Sequence, residues 1–168
     1  MRLVENVPLD TNIIADLITD RDDLHLVWPQ AKWPFDHVQW RKVLDPETGN
    51  KPFLVYEGSK LIGHAALCRT EESGVYSLSY LYLAPQMRSR GLGEKMVGLL
   101  EQYAREELSA NKLVLVTRTY NPRARKCYSK CGYREYSREV TMIRMSKELQ
   151  AEQRNRGESP QSADKNKN

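Results

Sequence analysis

Little in this sequence suits a metal centre or a disulfide framework. Its three cysteines, Cys68, Cys127 and Cys131, are an odd number. Cys127 and Cys131 stand four apart in an expected helix and so share a face. No further cysteine or nearby histidine completes a tetrahedral set, so no metal and reduced thiols are expected. No apolar run approaches the ~20 residues that span a bilayer. The opening "MRLVENVPLD" lacks the apolar core of a secretory signal, which points to the cytoplasm and to no membrane partner. Charge of one sign is scarce as well: 26 basic against 22 acidic residues give +4. A nucleic-acid binder concentrates a larger basic excess on one face, so none is expected as partner. A small anionic ligand needs only a local cluster.

What the chain does have is enough apolar material for one core. With 168 residues, 40% hydrophobic and 29% charged, it reads as a single globular domain. Residues 2 to 7 suit a short strand. Asp10 or Thr11 then caps a helix with Ile13, Ile14, Leu17 and Ile18 at helical spacing. "LVWPQAKWPFDHVQWRKVLD" combines an irregular aromatic stretch, holding Trp28, Trp33 and Phe35, with a helix from about Asp36 to Leu44. "FLVYE", "GSK" and "LIGHAALCR" make a hairpin, and the alternating "VYSLSYLYLAP" adds a third antiparallel strand. A helix from Leu92 carries an apolar stripe. "LVLVT" at 113–117 is the continuous apolar run of a central strand covered on both faces. "NPRARKCYSKCGY" has Asn121 as N-cap, Pro122 at the first helical position and Gly132 as the stop. One or two strands close the domain. The expected order is strand, two helices, three strands, helix, strand, helix, two strands. That is α/β with a mixed, mainly antiparallel sheet of six to seven strands and about four helices, over residues 1–148. Residues 149–168 are almost wholly polar and are expected to form a disordered tail.

The stretch "RSRGLG", residues 88–93, raises the functional question. A Walker loop requires G-x-x-x-x-G-K-[ST], whereas Gly93 is followed by Glu94 and Lys95. A dinucleotide fingerprint requires a third glycine where Met96 stands, and a preceding parallel βαβ unit rather than a meander. What remains is Arg88-x-x-Gly91-x-Gly93 between a strand and a helix. Glycines allow close backbone approach and positive φ, and the first-turn N–H groups face an anion along the helix dipole. The arrangement suits a pyrophosphate.

With "YNPRARKCYSKCGY" about thirty residues downstream, the chain resembles the GNAT family of acyl-CoA-dependent N-acyltransferases. The family loop, [Q/R]-x-x-G-x-[G/A], is matched by Arg88, Gly91 and Gly93. The second signature is matched by Asn121, Ala124, Tyr128 and Gly132-Tyr133. The resemblance covers roughly residues 53–146. It implies a GNAT-like fold with acetyl-CoA as acyl donor and no metal. The backbone of Leu81 and Leu83 would pair with pantetheine. The N–H groups of Arg88, Ser89, Arg90, Gly91, Leu92 and Gly93 would hold the pyrophosphate, and Asn121 and Arg123 would face the other side of CoA.

It also implies direct attack of a primary amine on the thioester in a ternary complex. Keeping an alkylamine neutral at pH 7 costs about 4–5 kcal/mol, so a base or water chain is needed. Tyr128 matches the family's general acid for the departing thiolate. The family's strand glutamate is missing, since no carboxylate lies between Glu72 and Glu94. A water relayed by Ser79 or Tyr80 is the first expectation for the base, and His64 the second. Trp28, Trp33, Phe35 and Asp36 are expected to hold the amine, which could be a small molecule or belong to a peptide or protein. A homodimer stays open. The alternative is a regulatory or structural module that keeps CoA binding with little catalysis.

Overall fold

A computed structural model describes residues 1–150; residues 151–168, which hold most of the expected tail, lie outside the described residues. The order of elements is β1 (Arg2–Glu5), α1 (Thr11–Leu17), α2 (Arg21–Val27), α3 (His37–Leu44), β2 (Lys51–Glu57), β3 (Lys60–Arg69), β4 (Val75–Leu83), α4 (Leu92–Leu108), β5 (Lys112–Arg118), α5 (Pro122–Lys130), β6 (Arg134–Arg138) and β7 (Met142–Glu148). The seven strands form one sheet in the order β1-β2-β3-β4-β5-β7-β6. Among the described residues only β4 and β5 run parallel, joined through α4.

Three N-terminal helices replace the expected two. Each begins at an aspartate whose carboxylate takes up an otherwise unpaired N–H. Asp10 accepts from the Asn12 amide at 2.9 Å, Asp20 from Asp23 at 2.9 Å, and Asp36 from Gln39 at 3.0 Å. The additional helix, α2, buries only Leu24. It therefore presents no apolar stripe for periodicity to detect.

Trp40, Phe53, Leu67, Leu100, Leu113 and Ile143 are fully buried and mark the core. Glu101 on α4 is also buried, and its carboxylate is met by Lys147 of β7 at 2.8 Å. Leu149 is buried too, with its N–H donating to the Asn111 carbonyl at 2.7 Å. Packing therefore continues at least to that residue.

β5 is not covered on both faces as its sequence suggests. Leu113 and Leu115 are buried, but Val116 is 49% exposed. The open residue lies on the wall of the cleft described next.

Candidate active site

β4 and β5 pair only at their beginnings, through Val75–Lys112, Tyr76–Leu113 and Ser77–Val114. Beyond those three pairs the strands have no ladder between them. β3 and β4 also slip in register: His64 faces Tyr82, but Ala66 faces Ser79, so β4 carries one extra residue. Tyr80 takes it up at φ +57°, in the left-handed region that non-glycine residues seldom enter. The bulge and the lost ladder together open a cleft of about 900 Å³. Strand edges without a partner carry N–H and C=O groups that an extended ligand can pair with.

At the mouth of this wedge the chain turns through Pro85–Met87 into Arg88–Gly91. Ser89 has φ +59° and Gly91 φ +71°. Left-handed residues on either side of one ordinary residue at a helix start turn several amides toward one point. α4 begins at Leu92 without a side-chain cap, so its first N–H groups stay free for an anion. The two glycines serve different ends. Gly91 supplies the positive φ, whereas a Cβ on Gly93 would stand 3.1 Å from the Cys127 sulfur, so Gly93 sets the close approach of α4 and α5.

The arginines of the motif divide their roles. The Arg88 Nε donates to the Leu83 carbonyl at 2.8 Å, and its Nη2 meets the Asp23 carboxylate of α2 at 2.7 Å. Its guanidinium also lies 5.4 Å from the Tyr82 ring centre. This side chain is a brace between the turn and α2 rather than a free cation. Arg90 points to the Met87 sulfur at 3.9 Å, and neither it nor Leu92 lines the cleft. The cations on the wall come instead from the β5–α5 side: Arg118, Arg123, Lys126 and Lys130. Asn121 lines it too and caps α5, accepting from the Ala124 amide at 3.3 Å.

Inside the wedge, Ser77 and Ser79 share a hydrogen bond of 3.0 Å between hydroxyls. Tyr80 packs edge-on against Trp28, centroids 5.4 Å apart, and tilts against Trp40 at 5.4 Å. Burial raises the Tyr80 pKa to about 12, with the Cys68 thiol adding to it. On the opposite wall stands half-buried Tyr128, edge-on to Tyr133 at 6.1 Å. Burial first, then the Cys127 and Cys131 thiols, push its pKa well above that of a free phenol. Both phenols keep their protons at neutral pH. As a pair they can donate but not abstract.

Of the four residues expected around the amine, only Trp28 lines the cleft. Trp33 is 45% exposed. Phe35 stacks on Trp40 at 5.3 Å, and Asp36 is occupied as the α3 cap and by Lys32 at 3.3 Å. His64 is likewise off the wall and fully buried, with its pKa depressed to about 4 because burial penalises the charged form. A base in contact with the amine has to come from elsewhere. Thr117 and Lys126 join the wall without a sequence signal of their own. Asp23 joins it too, held by Arg88 at 2.7 Å.

A splayed pair of parallel strands ending in an amide-rich turn, with proton-bearing phenols between them, is the working part of an acyl-CoA-dependent acyltransferase. The free β4 edge suits pantetheine, and the uncapped α4 terminus with the α5 cations suits the CoA phosphates. The chain belongs to the GNAT acetyltransferase family, whose profile matches residues 16–133. It is thereby an acetyl-CoA-dependent N-acetyltransferase, and the family uses no metal.

Solved structures share the fold. Spermidine N-acetyltransferase from Vibrio cholerae, in complex with CoA and spermine, aligns with a TM-score of 0.74 at 18% identity, over 88% of this chain and 95% of that one. Campylobacter jejuni N-acetyltransferase PseH, in complex with acetyl coenzyme A, aligns with a TM-score of 0.66 at 20% identity, over 89% and 99%. A dodecameric structure of the Vibrio cholerae enzyme aligns with a TM-score of 0.71 at 19% identity, over 88% and 93%.

Proposed function

We propose that this protein transfers an acetyl group to a primary amine by direct attack within a ternary complex, with Tyr128 as general acid. Acetyl-CoA, when bound, supplies the activated acyl group. The observation that carries the reading is Tyr128: a half-buried phenol, protonated at neutral pH, in the same cleft as the amide-lined turn. A phenol in this state can give its proton to a departing thiolate and recover it from water. On the β4 side, the hydrogen-bonded Ser77–Ser79 pair passes the amine's proton to solvent through water, in place of a carboxylate. Leu81 and Leu83 offer the β4 edge to the pantetheine arm, and the turn from Arg88 to Gly93 together with Asn121 and Arg123 receives the phosphates.

The acceptor enters beside Trp28 and Tyr80, whose rings give it an apolar wall on one side. It is a small-molecule amine or the amine of a peptide or protein. Nucleic acid is no part of the reading, and no described helix is long and apolar enough to cross a membrane.

The test is thiol release from acetyl-CoA with a panel of amines. Wild type should turn over at least one, and Tyr128→Phe should lower kcat by about 10²-fold or more with little change in CoA affinity. Tight CoA binding with no transfer to any amine would instead identify a CoA-binding regulatory module. Unchanged kcat in Tyr128→Phe would remove Tyr128 from the mechanism.

A further inference from the structure

His64 has no place on the cleft wall, yet it touches the element that shapes the cleft. Its Nδ1 lies 2.9 Å from the carbonyl oxygen of Tyr80. A carbonyl only accepts, so Nδ1 carries the proton and Nε2 bears the lone pair. Nε2 is buried, and among the described residues it has no hydrogen-bond partner. The imidazole is fixed by packing as well, edge-on to fully buried Trp40 with centroids 6.1 Å apart.

Tyr80 is the bulged residue itself, at φ +57°. The register of β3 on β4 changes between His64 and Ala66, beside it, and the β4–β5 ladder ends at Ser77, three residues before. A tyrosine at positive φ sits about 1–2 kcal/mol above its ordinary conformations and persists only where the surroundings over-determine it. A part-buried carbonyl turned out of its ladder likewise calls for a donor. His64 supplies that donor.

We propose that His64 is a positioning residue whose Nδ1–H holds the Tyr80 carbonyl out of the sheet, and so keeps β4 splayed from β5 to receive the pantetheine arm of the acyl donor. Without the clamp, Tyr80 returns toward ordinary strand geometry and the wedge narrows. The amide-lined turn from Arg88 to Gly93 lies beyond the far end of β4 and keeps its shape. The clamp therefore governs the pantetheine part of CoA and leaves the nucleotide part alone. The inference rests on the wedge being the donor's slot.

The experiment compares binding of CoA and of 3′-phospho-ADP, which lacks the pantetheine arm, by calorimetry. His64→Leu removes the donor while keeping an apolar side chain. It should weaken CoA at least 10-fold and leave 3′-phospho-ADP within 2-fold. His64→Asn places an amide N–H close to where Nδ1 stood and should restore CoA to within 3-fold of wild type. Nitrogen-15 NMR of the wild-type imidazole should show the neutral Nδ1-protonated tautomer, which free histidine disfavours. Equal loss of both ligands in His64→Leu with no rescue by Asn, unchanged CoA binding in His64→Leu, or an Nε2-protonated ring would each overturn the clamp. Failure of wild type to bind CoA more tightly than 3′-phospho-ADP would overturn the reading of the wedge instead.

Discussion

The two sides of the cleft are built by different means. The side proposed for the donor, from β4 through α4 to α5, is a matter of backbone: unpaired strand edges, left-handed residues at 89 and 91, and helix N-termini at Leu92 and Pro122. The side proposed for the acceptor, α2 and residues 28–30 after it, is a matter of side chains. Three short helices, each with an aspartate cap, hold Trp40 at the centre of a cluster with Trp28, Phe35 and Tyr80. A backbone site demands glycine and cap residues at fixed spacings. A side-chain site can be assembled from many sequences, which leaves room for acceptors to differ among relatives of one fold.

The sharpest way to break this contrast is Trp40→Ala. Trp40 is fully buried and packs on Trp28 and on Tyr80 of β4, so a loss of about 3–5 kcal/mol is expected in chemical denaturation. The KM for the amine should rise more than that for acetyl-CoA. If the donor KM rose as much, the two sides would not be separable.

The next largest effect is one of pH. His64 resists protonation in the folded protein, with a pKa of about 4 against 6.5 for a free imidazole. The unfolded chain takes up the proton that the fold refuses, so stability contributed above pH 6.5 is lost as the pH falls toward 4, by up to about 3 kcal/mol. Melting curves across that window should show a steeper slope for wild type than for His64→Leu. Equal slopes would mean that His64 is accessible to protons in the folded state.

The Arg88–Asp23 pair is the stitch between the two sides, so it tests their independence directly. Both side chains are largely but not fully buried, and breaking the pair with Asp23→Asn or Arg88→Gln should cost about 1–3 kcal/mol. The double variant should cost much less than the sum, and each single variant should raise the KM for both substrates. Additive losses would make the contact incidental. Gly93→Ala has a smaller expected effect, about 1 kcal/mol, because its methyl would press on the Cys127 sulfur. It should weaken CoA without touching amine KM. Smallest of all is Trp33→Ala, within about 0.5 kcal/mol in stability and neutral in amine KM, since Trp33 is exposed and off the cleft wall.

The same contrast explains what could be seen in the sequence. "RSRGLG" and "NPRARKCYSKCGY" were legible because positive φ, an uncapped helix start and an Asn cap each restrict residue type. The meander β2–β4 was legible from alternation. α2 was not, because its helix is made by a cap and one buried leucine. The aromatic wall was legible only as a set of candidates: composition marks Trp28 and Trp33 alike, and only packing sends one to the cleft and the other to solvent. The bulge at Tyr80 left no trace at all. A left-handed tyrosine held by a histidine sixteen residues earlier has no local signature, so His64 reads from sequence as a candidate base.

The splayed strands carry a further consequence, for the behaviour of the protein in a tube. An interior row of amides and carbonyls without a β-partner is an internal sheet edge. Occupying it is equivalent to adding an eighth, removable strand. Colloidal behaviour should therefore follow donor concentration: at one hundred times its Kd, CoA adds about 2.7 kcal/mol to the folded state by mass action and withdraws the edge from intermolecular pairing. Preparations kept with CoA should scatter less light on warming than those without it.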